Sequence, residues 1–163
     1  MVIKENAEVD WDKLRKTVRT AIKMQDNVID KTHYFLDENK KIDSNRLSQF
    51  RKITKGYELI FHRAFDHLIN QDESLELLIK NKFDRILCSG SVVDSENGLE
   101  RLKHLKKISN ERISIMPGGG VNLKNFNLFK DSNFREIHLS AIDKSISLDS
   151  NYNIIREIVE MSK

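Results

Sequence analysis

Leu59-Ile60-Phe61-His62-Arg63-Ala64-Phe65-Asp66 joins three apolar residues to a polar run that packing alone does not require. The same transition recurs downstream. Ile86-Leu87-Cys88 leads into Ser89-Gly90, and Ile113-Ser114-Ile115-Met116 leads into Pro117-Gly118-Gly119-Gly120. A fourth run, Ile137 to Leu139, carries His138 and closes on Ser140. Helix-forming residues follow each run, so the pattern reads as repeated strand-to-helix units. In parallel sheets of such units, ligands gather at the C-terminal ends of the strands. The polar residues at those ends therefore mark an active or binding face.

Outward from these runs the alternation continues. Val2-Ile3 reads as a strand stub, Trp11 to Met24 as an amphipathic helix, and Val28 to Leu36 as a strand. Asp43-Ser44 caps a helix from Asn45 to Thr54. Strands are expected over Tyr57 to His62, Arg85 to Cys88, Arg112 to Met116 and Arg135 to Ser140. Helices are expected over Asp72 to Lys80 and Glu96 to Lys107, from Asn122 through Phe126 and Phe129, and over Asn153 to Met161. About six units with short connections predict an α/β fold, a parallel sheet with helices outside it, in one domain over residues 1–163. The unbroken apolar runs fit parallel strands covered on both faces.

Charge and composition narrow the partners. Lysine and arginine number 28 against 25 acidic residues, and the two signs are mixed along the helices. A solvated surface is expected from that mixture, and no nucleic-acid partner. The one cysteine, Cys88, cannot form an intrachain disulfide and fits a reducing cytosol. No run approaches a membrane span, and Met1-Val2-Ile3-Lys4 does not open a secretory signal. The expectation is a cytoplasmic protein without a membrane partner.

Three groups of residues carry the candidate chemistry. His62 is able to pass protons near neutrality, Arg63 to hold a carboxylate or phosphate, and Asp66 to orient either one. The same residues also fit a local ion pair that steadies the turn. Gly118-Gly119-Gly120 lets the backbone approach an anion, and the helix expected at Asn122 would add N–H groups. A tight turn requiring positive φ explains those glycines equally well. Ser89, Gly90 and Ser140 offer hydroxyl and backbone donors at neighbouring strand ends. Cys88, His62 and His138 invite a metal reading, since thiolate and imidazole suit copper(I) or zinc, although a lone cysteine in an apolar run is more often an inert buried thiol.

Taken together, Leu59 to Asp66, Asp84 to Gly90, Ile115 to Val121 and Glu136 to Ser140 resemble the CutC family, named for copper homeostasis. The resemblance implies a partial TIM-type (β/α) barrel lacking the family's first two strand–helix units. His62, Arg63, Asp66, Ser89, Gly90, Gly118, Gly119, Gly120, His138 and Ser140 would line its mouth. It implies copper as a possible ligand, although the cysteines proposed as copper ligands in some members belong to the missing part. Cys88 stands where the family usually has threonine. Two functions follow as expectations: a small-anion-binding mouth under a copper-homeostasis label, and an enzyme of lyase, isomerase or hydrolase type acting on a phosphorylated or carboxylated small molecule. A third is a degenerate barrel retained as an interaction protein. An incomplete barrel leaves sheet edges and core uncovered, so a homo-oligomer is expected.

Overall fold

The computed structural model describes residues 35–141 and 151–162. The strand expected at Val2-Ile3, the helix from Trp11 to Met24 and nearly all of the strand from Val28 to Leu36 lie outside them. Helix α1 spans Ser44–Ile53. Strand β1, Ile60–Phe61, runs into a 3-10 turn, Arg63–His67. Helix α2 (Gln71–Lys80), strand β2 (Arg85–Cys88), helix α3 (Leu99–Ser109) and strand β3 (Ser114–Pro117) follow. Helices α4 (Phe126–Asp131) and α5 (Tyr152–Ser162) complete the described elements.

The three strands form one parallel sheet in the order β1-β2-β3. Its register places Ile60, Arg85 and Ser114 in one row and Phe61, Ile86 and Ile115 in the next. Successive side chains on a strand point to opposite faces. Phe61, Ile86, Cys88, Ile115 and Pro117 are buried, whereas Ile60, Arg85, Leu87, Ser114 and Met116 are only half-buried. The buried face shares a core with Leu75 and Leu78 of α2, Leu102 and Leu105 of α3, and Phe129 of α4. Each such fully buried side chain contributes roughly 2 kcal/mol over its exposed state.

The helices start where side chains satisfy their first N–H groups. Asp43 Oδ1 accepts from Asn45 N and Arg46 N, both at 3.0 Å, as the sequence led us to expect. For α2 the cap is Asn70, not Asp72, with Oδ1 accepting from Glu73 N at 3.2 Å. Helix α3 begins three residues later than expected. A Cβ on Gly98 would stand 1.9 Å from the Ser89 carbonyl oxygen, so this backbone is committed to the β2 end before the helix can start. Asn122 does not open a helix. Its Oδ1 accepts from Lys124 N, and Asn125 Oδ1 accepts from Asn122 N, local bonds that compete with helix geometry. Helix α4 therefore starts at Phe126 and spans six residues.

The strand expected over Arg135 to Ser140 is a second departure. The segment runs beside β3 and makes one ladder bond, His138 N to Pro117 O at 2.8 Å. The next bond upstream would need an N–H on Pro117, which proline lacks. Downstream, Gly119 leaves the extended conformation at φ +100. Side chains hold the segment instead. Arg85 Nε donates to Glu136 Oε1 and Oε2 at 2.7 and 2.8 Å, and Ser114 Oγ donates to Glu136 Oε2 at 2.7 Å. Arg85 also reaches Glu58 at 3.1 Å, so one guanidinium ties β1's approach, β2 and the segment after α4. The described residues thus hold three regular strands, and two of the six expected strands fall outside them or nearly so.

Candidate anion site at the strand ends

His62 is the first residue past β1, and its ring closes the turn that follows. Nδ1 accepts from Ala64 N at 3.0 Å, so the neutral imidazole carries its proton on Nε2. The 3-10 turn then sends Arg63 and Asp66 toward the end of β2. Asp66 is buried, with a side chain 1% exposed, and its carboxylate is the hub of the cluster. Oδ1 accepts from Ser89 N at 2.9 Å and Gly90 N at 3.1 Å. Oδ2 accepts from Arg63 Nε at 3.1 Å and lies 2.7 Å from Ser89 Oγ. A buried carboxylate is tolerated only with such partners. The Ser89 hydroxyl has one proton and a second acceptor in reach, Ser91 O at 2.6 Å, while it accepts from the Arg63 guanidinium at 3.0 Å.

These bonds engage one edge of the Arg63 guanidinium, Nε and one Nη. The side chain remains 43% exposed, and Nη1 takes part in neither bond. The guanidinium plane lies on the glycine loop after β3: a Cβ on Gly119 would come within 2.7 Å of Arg63 Cζ and Nη1. Gly119 and Gly120 take φ of +100 and +87, which favours glycine. No described residue accepts from the N–H groups of Gly119, Gly120 or Val121, and Gly119, the first of the three, lies against the cation. The loop is braced from behind. Ser95 N and Oγ both donate to Gly119 O, at 2.8 and 2.6 Å, and Asn122 and Asn125 side chains donate to Gly120 O.

Of the residues singled out in the sequence, Arg63, Asp66, Ser89, Gly90 and Gly119 form one connected cluster. Gly118 extends it to His138: a Cβ there would meet Leu87 at 2.5 Å and His138 Cβ at 3.2 Å. His62 and His138 are exposed at the same end. Ser140 is exposed two residues on, and among the described residues no hydrogen bond joins it to the cluster. Asp66 spends its oxygens on Arg63, Ser89 and Gly90, which makes it a positioning residue for the guanidinium and leaves His62 oriented by Ala64 instead. Sequence reading missed Ser95 and Asp94, which pack on Gly119 and Gly120. Their signal was the Ser, Asp, Asn and Gly content of residues 89–98, a stretch dense in turn chemistry.

Cys88 sits on the buried face with no exposure. Burial pushes its thiol up, and the nearby Asp66 charge adds to the effect. Among the described residues no group of three or more His, Cys, Asp or Glu side chains could hold a metal ion. A cavity of about 1090 Å³ opens at the opposite end of the sheet, past Arg85, Ser114 and Glu136. Its central charges are spent on each other, and Arg112 is paired with Glu76, so we place the candidate site at the strand C-terminal end.

Residues 7–143 match the model of the CutC family. A CutC family protein of Bacteroides fragilis is 37% identical over 127 residues, covering 77% of this chain and 49% of that relative. One from Vibrio cholerae serotype O1 is 44% identical over 87 residues, 53% of this chain and 34% of the relative. A solved CutC structure from Streptococcus agalactiae, named for copper homeostasis, superposes with a TM-score of 0.60 at 32% identity. The match covers 63% of this chain and 51% of that one. The chain spans about half the length of the curated relatives it matches. With the family model covering most of its residues, this chain belongs to the CutC family.

Proposed function

We propose that this chain acts through a small anion, a phosphate or a carboxylate, bound by Arg63 and the loop Gly118 to Gly120. The setting is the copper homeostasis for which its Streptococcus agalactiae neighbour is named. One observation carries the reading: a guanidinium held by Asp66 and Ser89 through Nε and one Nη stays 43% exposed and lies against Gly119, in a loop whose Gly119, Gly120 and Val121 N–H groups have no acceptor among the described residues. Paired donors around a fixed cation are the chemistry that recognises carboxylate and phosphate oxygens. The parallel order β1-β2-β3 and the likeness to a solved CutC structure support reading this sheet as an arc of a (β/α) barrel, with the anion at its mouth.

Copper does not fit the described residues as a bound ion. Cys88 is enclosed in the core, away from His62 and His138 at the rim, and its thiol is held protonated by burial. No step of the proposed function runs through a metal.

A second reading makes the site an enzyme of lyase, isomerase or hydrolase type. It is favoured by His62, exposed beside Arg63 with Nδ1 occupied and the proton of its neutral ring on Nε2. An imidazole at this strand end is a group able to move a proton near neutrality. Thermal denaturation with added ligands tests the first reading. Inorganic phosphate or citrate at a hundredfold excess over Kd should raise Tm by about 5 °C, and the rise should vanish in Arg63→Met. A wild-type Tm indifferent to every anion would overturn it.

A further inference from the structure

The loop between β2 and α3 puts two valines where the core does not want them. Val92 and Val93 are 72% and 69% exposed. Their loop is not slack. Ser91 Oγ accepts from Val93 N and Asp94 N, each at 3.1 Å, and lies 2.8 Å from Asp94 O, so the tip is tied to its own base. Ser95 fastens the far side to Gly119 O, and a Cβ on Gly120 would stand 3.0 Å from Asp94 Cβ. The two valines are thus presented, on a braced turn, within one or two residues of the backbone that packs on the anion loop. Single exposed apolar residues are ordinary. This pair is braced, and the next residue, Asp94, packs on Gly120 of the loop whose N–H groups have no acceptor among the described residues.

Resting on the anion reading above, we propose that the ligand is an anion with an apolar body: a phosphate monoester or carboxylate bearing an aliphatic or aromatic group. Its head meets Arg63 and the Gly119 to Val121 N–H groups, and its body lies on Val92 and Val93. A purely polar sugar phosphate would gain nothing from the two valines. Covering part of two valine side chains is worth about tenfold in affinity, at the usual free energy per unit of apolar area removed from water.

Methyl phosphate and phenyl phosphate share head group and charge, so their affinity ratio isolates the body. Isothermal titration of the whole chain should give phenyl phosphate about a tenfold advantage. In the double variant Val92→Ser/Val93→Ser that ratio should fall to about one. Circular dichroism checks that the variant is folded, and its positions are exposed. A wild-type ratio near one, with both probes binding, overturns this inference and leaves the anion site standing. An advantage that survives the valine substitutions places the apolar contact elsewhere and overturns it as well. If neither probe binds, the anion reading itself falls, and this inference with it.

Discussion

The guanidinium of Arg63 lies flat on the backbone of Gly119, leaving no room for a methyl group between them. This contact joins the end of β1 to the end of β3 across β2, and it fixes where a ligand's charge would sit. Gly119→Ala should therefore do two things. Positive φ costs a Cβ-bearing residue roughly 1 to 2 kcal/mol, and the displaced guanidinium loses its seat. Urea unfolding should register the stability loss, and the phosphate-dependent rise in Tm should shrink in parallel.

Asp66→Asn tests the hub. Asparagine places an NH₂ group against Arg63 Nε and the Ser89 hydroxyl, or against the Ser89 and Gly90 N–H groups, wherever its amide points. Donors then face donors in a buried site. The expected cost is about 3 kcal/mol in chemical denaturation, as for other broken buried charge pairs. A variant as stable as the wild type would mean that the carboxylate does not organise this end of the sheet.

The opposite end carries a pH-dependent tie. Burial raises the Glu136 carboxyl, but hydrogen bonds from Arg85 and Ser114 and the charges of Arg85 and Arg135 outweigh it, and the net is below the ordinary 4.5. A depressed carboxyl stabilises the fold above its unfolded value and loses that contribution as pH falls through the folded one. Acid titration of stability should show this loss below about pH 4.5. In Arg85→Met the neutral-pH stability should drop by about 2 kcal/mol, with a shallower acid limb. Parallel acid limbs in the two proteins would remove Arg85 as the cause.

Cys88 should be inert while the chain is folded. With the side chain enclosed and the thiol pushed up by burial, a disulfide reagent such as DTNB should label it no faster than the protein unfolds. Rapid labelling under native conditions would expose the thiol and reopen a copper(I) role for it.

The half-buried face of the sheet bears Ile60, Leu87 and Met116. Apolar residues left in that state favour self-association. Light scattering on the purified chain should give twice the 19.1 kDa mass, and a clean single-chain mass would contradict a dimer.

Much of this architecture was legible in the residues. Arg85 to Cys88 was read with both ends right, because an unbroken apolar run flanked by polar turns leaves little choice. The cluster of Arg63, Asp66, Ser89 and Gly119 was legible as residues at three strand ends, although most of its wiring was not. The Arg63–Asp66 pair was one of the two readings the residues allowed, but nothing in one dimension says that Asp66 would also serve Ser89 and Gly90 or that Ala64 would serve His62. The missing strand at Arg135 to Ser140 has its reason in another segment, the absent N–H of Pro117. The late start of α3 lies in the contact of Gly98 with Ser89. Both are tertiary effects that override local preference.

The most direct test of the central claim is an amide NMR titration with inorganic phosphate. The account expects saturable shifts concentrated at the Gly119, Gly120 and Val121 N–H groups, with the Arg63 side-chain Nε–H moving alongside, and no such response in Arg63→Met. Shifts confined to other parts of the chain, or the same response with Arg63 replaced, would contradict it.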